Sequence, residues 1–263
     1  MNLSGRHVLV TGATGGLGHA IARALAARGA HLVLTGRRTD VLEPLASELG
    51  AQAIAADLSD PDAVEGLLAE AGELDGLVAN AAVPGSGPVL EYTVEQIDRA
   101  LTVNLRAPML LGRALGERLL ERGEGHLVFI SSLSGKAASP GAGIYAATKF
   151  GLRGFALGLR EDLAGTGVGV SLVLPGFISG VGMFAESNTQ LPPFVGTRPP
   201  EAVGAAVVAA IEHDRAEVSV APLPVRAGAA LAGLLPGPVN ALQRRLGAQR
   251  IADQMSAGQR SKR

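Results

Sequence analysis

Tyr145 and Lys149 are the residues of this chain best suited to moving a proton. They stand four residues apart in Tyr145-Ala146-Ala147-Thr148-Lys149, in a chain of 263 residues with only two tyrosines. On an α-helix that spacing puts both side chains on one face, about one turn apart. A phenol is a poor acid or base near neutrality, because its ordinary pKa is about 10. A cation held beside it favours phenolate and lowers that value. The pair therefore reads as a tuned proton donor and acceptor. An amphipathic helix with a surface Lys and a half-buried Tyr shows the same spacing, so the pair gains meaning only from its setting. Upstream, an apolar run from Gly125 delivers Ser131 and Ser132 at a strand end. A hydroxyl there can donate a hydrogen bond to a carbonyl oxygen on which negative charge develops. No His or carboxylate stands at a spacing that would make it a nucleophile.

The elements that must position these groups begin at the N-terminus. His7-Val8-Leu9-Val10-Thr11 is a short strand-like run leading into Gly12-Ala13-Thr14-Gly15-Gly16-Leu17-Gly18. The next residues, His19 to Arg28, carry apolar side chains at helical spacing and stop at Gly29. Strand, glycine turn and helix form the layout of a phosphate cradle. The glycines permit a tight turn and close backbone approach, and the helix N-terminus offers free N–H groups and a positive dipole end. With 36 glycines in the chain, the turn alone is weak, and its place between strand and helix is what counts. The second strand, His31 to Thr35, ends in Gly36-Arg37-Arg38. An acid here would bind the ribose hydroxyl of NAD, whereas an arginine accommodates the 2′-phosphate of NADP. A guanidinium matches phosphate geometry well, so NADP(H) is favoured and NAD(H) is possible.

Apolar strand-like runs alternate with helical runs along most of the chain. Strands are expected at 6–11, 31–35, 52–55, 75–79, 125–131, 168–174 and 216–220. Helices are expected at 17–28, 39–49, 60–71, 93–103, 106–122, 144–164 and 200–213. This alternation predicts an α/β fold: a doubly wound parallel sheet of about seven strands with helices on both faces. The strands are nearly all apolar, as strands covered on both faces should be. Residues 1–220 are expected to form a dinucleotide-binding and catalytic domain, and 221–263 a basic, proline-broken extension of it.

Composition excludes several classes. Hydrophobic residues make up 47% and charged residues 18%, a globular balance and not a disordered one. A net charge of −1 leaves no nucleic-acid footprint. No cysteine is present, which removes disulfides and thiol nucleophiles and suits a reducing cytoplasm. The five histidines show no metal-like spacing, so no metal site is expected. Met1 to Arg6 lead straight into a strand with no apolar signal region, and the longest uncharged apolar stretch, Ala227 to Leu235, is too short to span a bilayer. A cytoplasmic location is expected.

Thr11-Gly12-x-x-x-Gly16-x-Gly18, Asn80-Ala81-Ala82, Asn104, Ser132, Tyr145-x-x-x-Lys149 and Pro175-Gly176 fall in the order and spacing of the short-chain dehydrogenase/reductase family. The resemblance covers roughly residues 4 to 220, and six weak motifs in register make it specific. It selects Ser132 over Ser131 and makes Asn104 a fourth catalytic residue that bends a helix and holds a water linking Lys149 to solvent. A polar residue capping a helix before Pro108 is the plainer reading of Asn104. The resemblance implies that Gly12, Thr14, Gly15, Gly16, Leu17 and Gly18 cradle the cofactor, with Arg37 and Arg38 at the ribose. Asp57 and Leu58 would meet the adenine, although turn chemistry around Asp57 explains that acid equally well. Asn80 and Ala81 would support the cofactor, and Pro175, Gly176 and Ile178 would meet the nicotinamide carboxamide. Lys149 would bind the nicotinamide ribose besides lowering the pKa of Tyr145. The chain departs from the family where Ala79 replaces an Asn and Ala82 a Gly. Ser179 stands near the place of a family Thr, and Gly15 stands where NADP-preferring relatives often carry a base. A homodimer or homotetramer, pairing helices 106–122 and 144–164, is carried over from the family.

The expected chemistry is hydride transfer between a nicotinamide and a carbonyl or secondary alcohol, with Tyr145 as general acid and base. A non-catalytic dinucleotide sensor on the same fold is the alternative, and such proteins lose the Tyr-Lys pair that this chain keeps. An epimerase on an extended fold would need a larger substrate domain. The apolar, proline-broken segment from Phe177 to Pro199 reads as a lid, which favours an apolar substrate. From residue 218 onward seven basic residues face a single acid, Asp253. That region reads as an extended lid or oligomer contact, or as a surface touching membrane lipid. The tail from Ser256 is expected to be disordered.

Overall fold

A computed structural model describes residues 1–263 except Pro61, Asn188, Pro193, Phe194 and 261–263, and except the side chain of Gln243. Prediction of the lid and the basic tail therefore falls partly on Pro193, Phe194, Lys262 and Arg263, outside the described residues. Seven strands form one parallel sheet in the order β3-β2-β1-β4-β5-β6-β7. They are β1 (His7–Thr11), β2 (His31–Gly36), β3 (Gln52–Ala55), β4 (Gly76–Ala79), β5 (Gly125–Ile130), β6 (Val168–Pro175) and β7 (Glu217–Val220). The fold class and the expected strands agree with this sheet, with ends shifted by a residue or so.

Alternation along each strand builds two cores, because successive side chains point to opposite faces. Leu9, Leu77, Leu127, Phe129 and Leu172 pack on one face with Leu111, Leu115 and Leu152. Those partners lie on α5 (Ala107–Arg122) and α6 (Gly143–Asp162), and α3 (Ala63–Glu70) adds Leu67. Val8, Val10, Leu34, Val128 and Val173 pack on the other face with Ile21, Leu25, Val203 and Val207. These come from α1 (Gly16–Ala26) and α8 (Pro200–Glu212), and α2 (Thr39–Leu49) adds Leu42 and Leu45. Both faces being covered explains why the strands carry so few polar residues.

Strand β1 pairs with β2 on one side and β4 on the other, so the chain changes direction across the sheet between β1 and β4. A crevice opens at such a switch point, beyond the carboxyl ends of the strands. α4 (Val94–Leu101) starts with a capping box, in which Thr93 and Gln96 each bond the other's backbone N–H. It does not end at Asn104 but runs through a π-turn, Thr102–Arg106, directly into α5. Asn104 is thus no helix cap, and Pro108 sits in the first turn of the helix that follows.

The C-terminal region corrects one expectation. Pro222, Pro224, Pro236 and Pro238 do divide it into short pieces, and those pieces are helices. Pro222 precedes α9 (Leu223–Leu234), and the other three occupy first turns of α9 and α10 (Pro236–Arg245), where a missing N–H costs nothing. The stretch expected to be disordered from Ser256 is helical to Gln259, within α11 (Ala248–Gln259). A further short helix, α7 (Gly182–Glu186), lies within the segment that follows β6.

Candidate active site

One cleft of about 900 Å³ crosses the carboxyl end of the sheet. Every site residue expected from the sequence lines it except Asn104. Its first wall is the glycine turn. Gly12 has a left-handed backbone (φ +65°), and a Cβ there would stand 2.7 Å from the Cα of Ala81. A Cβ on Gly18 would stand 2.3 Å from the Gly12 carbonyl oxygen. Only glycine fits either place. Asn80 locks the turn from the next strand, donating from Nδ2 to the carbonyls of Thr11 and Gly12, both at 3.1 Å. The Thr11 hydroxyl accepts from the backbone N–H groups of Asn80 and Ala81 in return. Gly15, at the helix N-cap position, offers no side chain, and His19 donates back to it at 3.0 Å. The first-turn N–H groups of Gly16, Leu17 and Gly18 are thereby left to face the cleft. A backbone cradle with free donors at a positive helix end suits a pyrophosphate.

The ribose end of the cleft holds Gly36, Arg37, Arg38, Asp57 and Leu58, and also Arg99, which sequence reasoning missed. Nothing in the spacing of Arg99 marks it, because α4 reaches the cleft only through the fold. Arg38 donates to the Thr14 carbonyl and so braces the glycine turn. Arg37 lies 3.7 Å from Asp57, with both side chains about half exposed. Asp57 accepts from the Ser59 backbone N–H at 3.0 Å and from its hydroxyl at 2.8 Å. Partial burial pushes the Asp57 carboxyl up, but those two bonds and the charges of Arg37 and Arg99 bring it below its ordinary value. The space over Gly36 is not open, since a Cβ there would meet the Thr14 side chain at 2.7 Å.

The polar groups of the other half converge where β5 ends against α6. Ser131 is buried and donates to the Lys149 carbonyl at 3.0 Å. Ser132 alternates to the cleft side, where its Oγ accepts from the Ser134 N–H at 3.1 Å. Gly135 brings this turn against α6, with room for no Cβ between it and the Lys149 carbonyl. Lys149 is 2% exposed and donates to the Ile130 carbonyl at 3.0 Å. Its Nζ lies 5.6 Å from the centre of the Tyr145 ring. Burial lowers Lys149 to about 8. Burial raises Tyr145 to about 12, against a hydrogen bond with Ser132 that lowers it. The expectation that Lys149 holds the phenol below its ordinary value is not met by these two side chains alone, because desolvation outweighs the Ser132 hydrogen bond.

Asn104 stands behind the wall and is fully buried. Its Oδ1 accepts from the Val83 N–H at 2.7 Å, and its Nδ2 donates to the Val83 carbonyl at 2.9 Å. It therefore ties down the loop after β4, where Gly85 packs against the Tyr145 backbone so closely that a Cβ would stand 2.9 Å from its nitrogen. Both ends of its side-chain amide are committed to Val83.

The segment after β6 closes the cleft. Pro175, Gly176 and Ile178 line it, while the Ser179 hydroxyl turns away to the Arg198 carbonyl at 3.3 Å. Val181 presses on the glycine turn, 2.3 Å from where a Gly16 Cβ would stand. The remaining wall comes from the C-terminal region that the sequence offers as an extended lid, without marking which of its residues face the cleft. Val225 and Ala229 of α9 and Ile251, Ala252 and Met255 of α11 make it apolar. Gln259 is 2% exposed and donates from Nε2 to the Met183 carbonyl at 2.9 Å. Its Oε1 has no partner among the described residues. Among the described residues no group of three or more His, Asp or Glu could hold a metal ion.

Residues 6–192 match the family described as short chain dehydrogenase. The chain belongs to that family. It is 36% identical to the ketoacyl reductase HetN of Nostoc sp. over 232 residues, 85% of this chain and 81% of that protein. It is 34% identical to the 3-oxoacyl-[acyl-carrier-protein] reductase FabG of Escherichia coli K12, across 68% of this chain and 75% of that one. Among solved structures, a short-chain dehydrogenase from Streptomyces avermitilis is 29% identical with a TM-score of 0.76, covering 92% of this chain and 96% of that one. A short chain dehydrogenase/reductase family protein gives a TM-score of 0.78 at 30% identity, over 84% and 97%. The family is one of oxidoreductases acting on C=O and CH–OH groups with a nicotinamide dinucleotide.

Proposed function

We propose that this chain is an NADP(H)-dependent reductase or dehydrogenase of an apolar carbonyl or secondary alcohol, with Tyr145 as its general acid and base. The observation that carries this reading is the convergence of Ser132, Tyr145 and Lys149 in the same cleft as the glycine cradle. The glycine turn and the first-turn N–H groups of α1 would hold the pyrophosphate. Arg37 would take the 2′-phosphate, since Arg38 is committed to the Thr14 carbonyl. Asp57 and Leu58 would face the adenine, and Pro175, Gly176 and Ile178 the carboxamide. When bound, the nicotinamide supplies or accepts the hydride.

Ser132 Oγ donates to the substrate oxygen and fixes the carbonyl against Tyr145. As charge develops on that oxygen, Tyr145 Oη gives up its proton to it. A phenol held high by burial keeps its proton at neutral pH, which suits the reductive direction. The Lys149 ammonium stabilises the phenolate left behind, and its burial makes that charge felt strongly. In oxidation each proton runs the other way. The apolar wall of α9 and α11 would receive the body of the substrate, and Gln259 Oε1 would accept from an O–H or N–H on it. We further propose a cytoplasmic homo-oligomer, in which α5 and α6 pair across copies as the family resemblance suggests; Phe150 and Met109 are exposed on those helices. Among the described residues no helix is long and apolar enough to cross a membrane.

A panel of ketones followed by NADPH absorbance tests this directly. Tyr145→Phe should lower kcat by about 100-fold or more while NADPH binding survives. Cofactor binding with no turnover of any panel member would favour the dinucleotide sensor instead. Near-normal turnover by Tyr145→Phe would remove Tyr145 from its role.

A further inference from the structure

Six of the thirteen large apolar side chains exposed among the described residues lie between positions 223 and 246. Leu223 is 72% exposed and Leu234 79%, and Leu231, Leu235, Leu242 and Leu246 are each about half exposed. Their spacing is helical. Leu223, Ala227, Leu231 and Leu234 share the outer side of α9, whose inner side buries Ala229 and Ala232. Leu235, Leu242 and Leu246 continue the apolar surface along α10, which packs on α9 and α11. Arg226 on α9, Arg244 and Arg245 on α10 and Arg250 on the adjoining α11 stand exposed. None of the four is ion-paired among the described residues. No Asp or Glu occurs between Glu217 and Asp253. Leu246 is half exposed and also lines the cleft, so the cleft opens beside this face.

We propose that the outer face of α9 and α10 docks on an anionic lipid surface, with the cleft mouth at Leu246 turned toward the bilayer. Leucines interleaved with unpaired arginines match a bilayer surface in both respects. The apolar side chains enter the acyl boundary and the guanidinium groups meet lipid phosphates. A second copy is a poor occupant. A two-fold contact places a patch against itself, and this patch would set unpaired arginines against arginines with no acid between them. Neither helix is long and apolar enough to span the membrane, so the chain rests on the lipid without crossing it. Resting on the reductase reading above, this placement lets an apolar carbonyl pass from the bilayer into the α9–α11 pocket without entering water.

Co-sedimentation of the full chain with phosphatidylglycerol-containing vesicles tests the docking without reference to activity. Binding is expected at low salt, with release at high salt and little binding to pure phosphatidylcholine. Arg244→Glu with Arg245→Glu should lower the partition coefficient at least about tenfold. Leu234→Gln with Leu242→Gln should do the same, and neither pair touches the cleft. No sedimentation with anionic vesicles at low salt overturns the proposal. So does a shift of Leu234→Gln/Leu242→Gln to a smaller oligomer in sedimentation velocity without lipid, which would assign the face to a second copy. A long-chain ketone carried in anionic vesicles should be reduced more slowly by either double variant, while a short soluble ketone is reduced at the normal rate. Vesicle binding with both ketones inert would sink the reductase reading and leave the docking face standing.

Discussion

Gly18 and Gly228 are the same residue in opposite trades. Gly18 lies in the first turn of α1, where a single methyl would stand 2.3 Å from a carbonyl oxygen. Gly228 lies inside α9, where a Cβ would touch nothing within 4 Å. The dinucleotide half of the cleft is built by backbone held against backbone, and Gly12 and Gly18 there are spatial requirements. The roof formed by α9 and α10 is built by side chains on a thin layer of contacts, and Gly228 and Gly237 there are gaps, while a Cβ on Gly233 would come within 3.2 Å of the Lys136 carbonyl. Gly258 of the neighbouring α11 is tighter still, because a Cβ there would run into the Ser187 backbone at 2.6 Å. The lesson is that one half, where the cofactor is proposed to lie, is fixed by backbone, whereas the other leaves room in which side chains can change.

Four substitutions would break or sharpen that contrast. Gly18→Ala should cost more than any other. NADPH affinity should fall by over about 100-fold, or the fold should be lost, because the strain falls on backbone that cannot move aside. Fluorescence titration and circular dichroism separate those outcomes, and tight binding by a folded variant would show that the turn is looser than its geometry.

Arg37→Leu comes next. A charge-assisted phosphate contact contributes about 1.5–3 kcal/mol, so NADPH should bind about 10- to 150-fold more weakly and NADH almost unchanged. Equal loss for both cofactors would make Arg37 only the partner of Asp57. Gly36→Asp is a poorer probe, since Thr14 must first vacate the space.

Lys149 should set an alkaline limb on reduction. It loses its proton as pH rises through about 8, while Tyr145, at about 12, stays protonated. Above pH 8 the phenolate formed in each turnover loses its neighbouring cation, so kcat should fall there by up to about tenfold per unit. Lys149→Arg, weaker throughout, should lack that limb. A limb unchanged in position by Lys149→Arg would assign it to another group.

The smallest effect carries the opposite sign. Gly228→Ala should stabilise α9 by about 0.5–1 kcal/mol and raise Tm by about 1–4 °C, because it restricts the unfolded chain and meets no neighbour. A fall in Tm would mean that α9 is packed as tightly as the glycine turn.

The sheet was legible in the sequence because strands covered on both faces must be apolar throughout, and turns rich in Gly, Asp or Ser punctuate them. The glycine turn, Ser132, Tyr145 and Lys149 were legible for the same reason, each lying at or just beyond the end of a strand or on a helix of clear spacing. Choosing between Ser131 and Ser132 needed the resemblance, and the pleat then showed one hydroxyl facing inward and one facing the cleft. The setting of Asn104 was hidden because a π-turn leaves no pattern in residue types, and its partner, Val83, is found only in three dimensions. The C-terminal helices escaped because Ala, Gly and Leu dominate them, which blurs any helical period, and because proline marks a helix start as readily as a break. Arg99 and Gln259 were out of reach, since only tertiary packing carries them into the cleft.

Gln259 and Gly258 clasp α11 to the segment that follows β6, one through the Met183 carbonyl and the other through the Ser187 backbone. Val181, on that same segment, bears on the glycine turn. If substrate and cofactor bind as proposed, both would leave past this one latch, and lifting α11 would loosen what covers each. Their exchange would then be gated, and the opening of α11 would share in setting the turnover of the proposed reaction.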